Sequence, residues 1–289
     1  MTWLITGGAG YIGAHVTAAM AAAGESVVVL DDLSSGTCDR LPGGVPLVRA
    51  SVLDRAALEA ALRRHHVTGV VHIAAKKQVG ESVEQPLRYY RENVEGLRTL
   101  LEAVVAAGIR RFVFSSSAAV YGLPDTDLVT EDTPCIPINP YGETKLAGEW
   151  LVRAAGRAHG IGTVSLRYFN VAGAASPRLG DTGASNLLPL VFRRLTEGKA
   201  PVVYGDDYPT PDGSCIRDYV HVADVASAHL AAARRIAADG EGTRTELTVN
   251  IGRGEGVSVL EMIDRIRAVT GTGGRRRRPG PQGAGLERR

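Results

Sequence analysis

Cysteine and one-sided charge are both scarce in this chain. The three cysteines, Cys38, Cys135 and Cys215, are odd in number and widely separated. They form neither a disulfide framework nor a metal-ligand motif, which fits a reducing compartment, so no metal is expected. No apolar run approaches the ~18 residues that cross a bilayer, so no membrane partner is expected. The chain opens directly on a strand-like run with no basic leader before it, so the expected location is cytoplasmic. The formal charge is +2. Six arginines, Arg275 to Arg278, Arg288 and Arg289, face a single acid, Glu287, in the last stretch. The remaining body is therefore mildly acidic and offers nucleic acid no face. Internal repeats are absent.

What is present is glycine, 35 of 289 residues, with 44% hydrophobic content and 22% charge. That balance suits a turn-rich α/β enzyme with a large core in one or two domains. Strand-like runs lie near 2–6, 26–30, 46–50, 69–73, 111–116 and 162–168, and helical patterns near 11–23, 54–65, 82–107 and 141–159. Regular alternation of this kind builds βαβ units and a parallel sheet. Beyond residue 170, loops dense in Gly, Pro, Asp, Ser and Thr are interrupted by helices near 186–197, 222–238 and 258–270 and by strands near 201–204 and 248–251. The expected fold is a doubly wound parallel Rossmann sheet with a smaller, discontinuous C-terminal substrate lobe. Residues 1–170 form the dinucleotide-binding domain in this reading, with about 220–251 returning to it. Residues 171–289 form the lobe, and 273–289 are expected to be disordered.

The first strand runs straight into Gly7-Gly8-Ala9-Gly10-Tyr11-Ile12-Gly13, then a helix, then Ser26 to Leu30 and the acids Asp31 and Asp32. Strand, glycine turn, helix, strand and acid is the dinucleotide-binding arrangement. Gly7 and Gly10 suit a tight turn and a close approach to a pyrophosphate. Gly13 suits close packing of helix on strand, and the helix N-terminus offers free N–H groups. A carboxylate at Asp31 accepts from a ribose diol and repels a 2′-phosphate, which favours NAD over NADP.

Tyr141 and Lys145 stand four residues apart on one helix face. An ammonium beside a phenol favours the phenolate, so Tyr141 is a candidate proton acceptor for an alcohol, and Lys145 can also hold the nicotinamide ribose. Ser117, at the end of the fifth strand, places a hydroxyl near the same substrate oxygen.

The G-x-x-G-x-x-G spacing with a downstream Y-x-x-x-K resembles the extended short-chain dehydrogenase/reductase family. Further segments narrow the resemblance to the UDP-glucose 4-epimerases within it. They include Asp31-Asp32-Leu33-Ser34-Ser35, Val79-Gly80-Glu81-Ser82, Phe114 to Gly122, Leu166 to Asn170, Tyr204 to Thr210 and Arg217 to Val222. The resemblance implies NAD as cofactor and a UDP-sugar as substrate, epimerised through a 4-keto intermediate with Tyr141 as base. It carries cofactor contacts onto Gly7, Gly10, Tyr11, Ile12, Gly13, Asp31, Asp32, Leu33, Ser34, Ser35, Gly36, Ser51, Val52, Ile73, Ala74, Ala75, Lys76, Lys77, Asn93, Ser117, Tyr141, Lys145 and Phe169. Substrate contacts fall on Ser117, Tyr141, Asn170, Asn186, Leu187, Val202, Val203, Tyr204 and Arg217, the last as diphosphate partner. A homodimer through the helices near 82–107 and 141–159 is implied in the same way.

Related dehydratases carry an acidic pair after the strand-five serine, where this chain has Ala118 and Ala119, so dehydration is not expected. Ser51 stands where the family has an aspartate on the adenine. After Thr272 the family's Arg and Asp for the diphosphate and ribose give way to Gly273-Gly274 and the arginine run, from which weaker substrate binding and an exposed apolar patch are expected. Two alternatives stay open. One is a 4-epimerase of UDP-glucuronate or a UDP-N-acetylhexosamine; the other is a weakly active NAD-binding protein.

Overall fold

The computed structural model describes residues 1–183, 186–240 and 243–271. β1 (Thr2–Thr6) leads through the glycine turn into α1 (Tyr11–Ala22) and β2 (Ser26–Asp31), followed by β3 (Leu47–Arg49), α2 (Arg55–Arg64) and β4 (Gly69–His72). Asp54 caps α2 by accepting from the Ala57 N–H at 3.0 Å, a common N-terminal signal.

The single helix expected over 82–107 is broken. It consists of α3 (Val79–Glu84), α4 (Pro86–Tyr89), a π-helical turn (Tyr90–Glu95) and α5 (Gly96–Ala106). Pro86 cannot continue a helix from behind but suits a first turn, so α3 ends and α4 begins there.

Next come β5 (Arg111–Ser117), α6 (Pro140–His159) and β6 (Gly162–Tyr168). α6 starts where Asn139 accepts from the Gly142 N–H and Pro140 takes the first position; it ends at Gly160 in the left-handed region, φ 65°. The chain closes with β7 (Asn170–Ala172), α7 (Leu187–Thr196), β8 (Ile216–His221), α8 (Val222–Ala237), β9 (Glu246–Ile251), β10 (Gly256–Ser258) and α9 (Val259–Thr270).

Among the described residues the main sheet has seven strands in the order β3-β2-β1-β4-β5-β6-β9, and every pairing in it is parallel. Strand side chains alternate between its faces. Leu4 joins Phe112 and Phe114 under α2, α5 and α6, where Leu58, Leu97, Leu100 and Val152 pack. Trp3 and Ile5 point the other way, to Val16 and Met20 of α1 and Ala233 and Ile236 of α8. Helices thus cover both faces, as a doubly wound sheet requires.

A second sheet, β10-β8-β7, and a separate apolar cluster of Val191, Val203, Leu260, Ile263 and Ile266 lie beyond. The strand expected at 201–204 is not formed; Val202 makes only an isolated bridge and Val203 fills the apolar cluster. Conversely, β7, β8 and β10 were not read from the sequence, since β7 and β10 have three residues each and all three pair only with one another. The expectations for residues 273–289 lie outside the described residues. Among those residues, no helix is long and apolar enough to cross a membrane.

Leu97 has no exposure and sits between α5 and the sheet. Leu97→Ala should cost about 2–5 kcal/mol in urea unfolding, and a loss under about 1 kcal/mol would contradict this packing.

Candidate active site

The sheet order reverses between β1 and β4, and the loops leaving the strands' carboxyl ends at such a point form a crevice. The glycine turn opens it. Gly7 has φ 70°, and a Cβ there would stand 2.7 Å from the Ala74 nitrogen. A Cβ on Gly13 would stand 2.0 Å from the Gly7 carbonyl oxygen, so α1 rests directly on the turn. Gly8 is as crowded, 2.6 Å from a Val29 methyl, and its role was not read from the sequence. Gly10 is extended and caps α1 with no side-chain hydrogen bond and no acid in the first turn. The first N–H groups of α1, those of Tyr11, Ile12 and Gly13, therefore remain open to an anion.

Asp31 is buried after β2. Its carboxylate accepts from the Ala9 N–H at 2.9 Å and the Leu33 N–H at 2.8 Å. Burial pushes this carboxyl up from its ordinary range, and the two N–H groups work against that. Leu33 takes a left-handed φ of 59°, a strained turn for a non-glycine residue, and carries the chain into Ser34, Ser35 and Gly36. A Cβ on Gly36 would stand 2.7 Å from the Ala9 carbonyl carbon, so this loop lies against the glycine turn. Asp32 accepts from the Ser34 N–H at 2.8 Å. Ser51 turns inward and accepts from the Leu53 N–H at 3.1 Å, while Val52 packs beside Gly96. Glycines with no room for a side chain, an open helix end and a buried acid after the second strand together fit a dinucleotide such as NAD.

The loop after β4, Ile73 to Lys77, is held by Asn93. Its Oδ1 accepts from the Lys76 N–H at 2.8 Å; its Nδ2 donates to the Lys76 carbonyl and to Thr144 Oγ1, each at 3.0 Å. Asn93 lies in the π-helical turn, a feature that often marks functional sites. Its amide ties the loop to α6 one residue before Lys145.

The three serines ending β5 point to different partners. Ser115 Oγ lies 2.8 Å from His229 Nε2, while His229 Nδ1 lies 2.7 Å from the Val225 carbonyl. A carbonyl only accepts, so Nδ1 carries the proton and Ser115 donates to Nε2. Burial holds this histidine neutral, down to about 4. Ser116 donates to Glu149, which also takes a bidentate pair of bonds from Arg167, 2.8 and 2.7 Å, with both side chains buried. Ser117 alone reaches the crevice.

Lys145 is buried and donates to the Ser115 carbonyl at 2.8 Å. Its ammonium lies 5.2 Å from the Phe114 ring centre and 6.0 Å from that of Tyr141. Burial pulls it down to about 8, with Glu149 opposing. The Tyr141 phenol moves the other way from the expectation: burial raises it, and only the Ser117 hydroxyl beside it lowers it. The lysine was expected to outweigh desolvation, and in this dry pocket it does not.

Tyr141 and Ser117 line a cleft of about 670 Å³ together with Tyr11, Ile12, Lys77, Phe169, Asn170, Asn186 and Leu187. Its other walls come from Tyr168, Val171 to Ala174, Gly180 to Thr182, Leu188, Pro189, Phe192, Arg193 and Tyr219. Tyr168 and Tyr219 fall in segments that carry the resemblance but were given no role, and the others were not singled out; the loop composition of 171–183 hid those within it, while α7's amphipathic spacing offered a signal for Leu188 and Phe192. Four substrate candidates are not walls of the cleft. Val203 is core, Val202 is bridged beside it, Tyr204 is 71% exposed, and Arg217 is exposed on β8 with a guanidinium donating to the Ile216 carbonyl. Among the described residues, no cluster of His, Cys, Asp and Glu could hold a metal ion.

The chain matches the NAD dependent epimerase/dehydratase family over residues 3–252. It is 46% identical over 274 residues to a UDP-glucose 4-epimerase of Azospirillum brasilense, covering 93% of this chain and 77% of that one. Its fold resembles the crystal structure of UDP-glucose 4-epimerase from Brucella ovis in complex with NAD: TM-score 0.85, 38% identity, 92% of this chain and 82% of that one. It also resembles the UDP-glucose 4-epimerase of Thermotoga maritima with UDP-glucose: TM-score 0.86, 30% identity, 99% of this chain and 88% of that one.

Lys145 titrates near 8 in the folded chain against an ordinary value of 10.5. Between those values the unfolded chain holds the extra proton, so this group makes stability rise with pH across that window. Urea unfolding from pH 7.5 to 10.5 should show a steeper rise in the native chain than in Lys145→Met; equal slopes would contradict the burial.

Proposed function

The chain belongs to the NAD dependent epimerase/dehydratase family, and on that premise we propose how its residues divide the work of a UDP-glucose 4-epimerase. It interconverts UDP-galactose and UDP-glucose with NAD as cofactor through a 4-keto sugar. The observation that carries the assignment of roles is that Tyr141 and Ser117 face one cleft while Lys145 stands buried behind them.

Gly7 to Gly13 and the start of α1 would hold the pyrophosphate, Asp31 with the turn to Gly36 would hold the adenosine ribose, and Ser51 and Val52 would border the adenine. Ile73 to Lys77, kept in place by Asn93, and Phe169 would supply further cofactor contacts. When bound, NAD takes up a hydride and returns it. Tyr141 removes the proton from the sugar 4-hydroxyl and later returns it to the same oxygen on the other epimer. Ser117 keeps that oxygen in reach by a shared hydrogen bond. Lys145 keeps its charge below about pH 8 and favours the Tyr141 phenolate during transfer. Asn170, Asn186 and Leu187 hold the sugar nucleotide from the far wall.

Ala118 and Ala119 follow Ser117 as the first residues of a short 3-10 turn, and neither carries a proton to lose or give, which fits epimerisation rather than dehydration. The readings as a 4-epimerase of another UDP-sugar or as a weakly active NAD-binding protein are not favoured, since the catalytic trio stands assembled and several curated relatives carry the UDP-glucose 4-epimerase name.

Residues 1–170 with 220–251 are the cofactor domain in this reading, and α7, the 203 segment and α9 build the substrate lobe. A cytoplasmic homodimer completes it. Support for the dimer is an apolar exposed face: Val79, Val83, Leu87 and Tyr90, with Trp150 on α6, are 41%, 39%, 85%, 40% and 59% exposed.

Purified protein should convert UDP-galactose to UDP-glucose in a coupled assay. Tyr141→Phe should lower kcat by about 10²–10⁴-fold while leaving UDP affinity intact. Turnover surviving in Tyr141→Phe refutes the base.

A further inference from the structure

The far wall of the cleft, residues 173–182, is not self-supporting. Its hydrogen bonds run back to the elements that carry the cofactor. Tyr11 donates its hydroxyl to the Gly173 carbonyl at 2.6 Å. The Ala175 N–H donates to His15 Nε2 at 3.1 Å, and His15 Nδ1 lies 2.8 Å from the Tyr11 carbonyl, which fixes the proton on Nδ1. The third anchor is Arg40, which ends a 3-10 turn (Cys38–Arg40) in the connection that follows Asp31. It is 6% exposed, and one guanidinium nitrogen donates to the Gly180 carbonyl at 2.8 Å and to Thr182 Oγ1 at 3.1 Å.

These two acceptors flank Asp181, whose Oδ1 takes the Gly183 N–H at 2.9 Å and whose Oδ2 takes the Asn186 amide. A continuous relay therefore runs from the ribose loop through Arg40 and Asp181 to Asn186, at the N-terminus of α7. A buried guanidinium spent on a carbonyl and a hydroxyl across 140 residues of sequence needs a reason. A surface loop could be closed by backbone bonds without desolvating a cation.

We propose that Arg40 is a positioning residue for the sugar-nucleotide wall, fixing residues 180–182 and, through Asp181, the Asn186 amide that meets the substrate. The inference rests on the functional reading above and deepens it: the substrate wall is erected by the cofactor's own ribose loop. Arg40 touches no reacting atom. Its loss lets the wall drift without disturbing Tyr141, Ser117 or Lys145.

The test uses the full chain loaded with NAD and three variants, Arg40→Met, Arg40→Lys and Thr182→Val. Calorimetric titration with UDP reads the wall, and turnover of UDP-galactose reads the site. Arg40→Met should weaken UDP binding and raise KM about tenfold, with kcat within about threefold of the native value and the bound NAD retained. Arg40→Lys should fall between, because an ammonium reaches one acceptor but not both as a guanidinium does. Thr182→Val should cost UDP affinity on its own and add nothing in the Arg40→Met background. Unchanged UDP affinity in a folded Arg40→Met or in Thr182→Val overturns the inference, as does a fall in kcat with KM unchanged. A native chain that binds NAD but neither binds UDP nor turns over UDP-galactose overturns the functional reading, and this one with it.

Discussion

A cation sealed inside the end of a parallel sheet is the constraint around which the rest is arranged. Lys145 is buried, and the Ser115 carbonyl meets its ammonium. That fixes the end of β5 against α6. The strand's neighbours are then committed in turn: His229 of α8 secures the Ser115 hydroxyl, and Glu149, one turn beyond Lys145, secures Ser116 while balancing Arg167. Breaking a buried pair such as Glu149 with Arg167 leaves an uncompensated charge, a far larger penalty than losing an exposed ion pair. The polar interior behind Tyr141 is therefore a scaffold held by satisfaction of its groups rather than by packing alone.

The same logic joins the two halves of the site. Residues near the glycine turn also anchor the far wall: Tyr11, which starts α1, ties down Gly173, and the connection that follows Asp31 carries Arg40 to Gly180. Burial raises the Tyr11 phenol, with Asp181 adding to the effect and Arg40 opposing it. The hydroxyl therefore stays a proton donor to the wall across the working pH range.

Much of this was legible from residues alone, where a local rule dictates the answer. Gly7 and Gly13 follow from sterics that any chain obeys at such a turn, and the regular alternation of strand-like runs and helical patterns announces the parallel sheet. Tyr141, Lys145 and Ser117 came together as their spacing and strand-end position implied. Long-range choices were not legible. The π-helical turn around Asn93 cannot be told from an ordinary helix by periodicity. The strands β7, β8 and β10 pair only with one another, and Val203 belongs to an apolar cluster assembled from α7 and α9. The direction of the Tyr141 shift was missed for a similar reason: neighbouring charge can be counted from spacing, whereas desolvation depends on everything folded over the group.

The three serines that end β5 each have a separate destination, and this gives the strand an index. Sliding it by one residue so that Ser116 takes the place of Ser115 would move Ser117 to Glu149 and leave Ala118, which has no hydroxyl, facing the cleft. Length variation in this half of the chain must therefore be absorbed elsewhere. The stretch between Gly122 and Asn139, which leaves the site and returns to it with many exposed positions, is where the molecule can grow or shrink without losing its place.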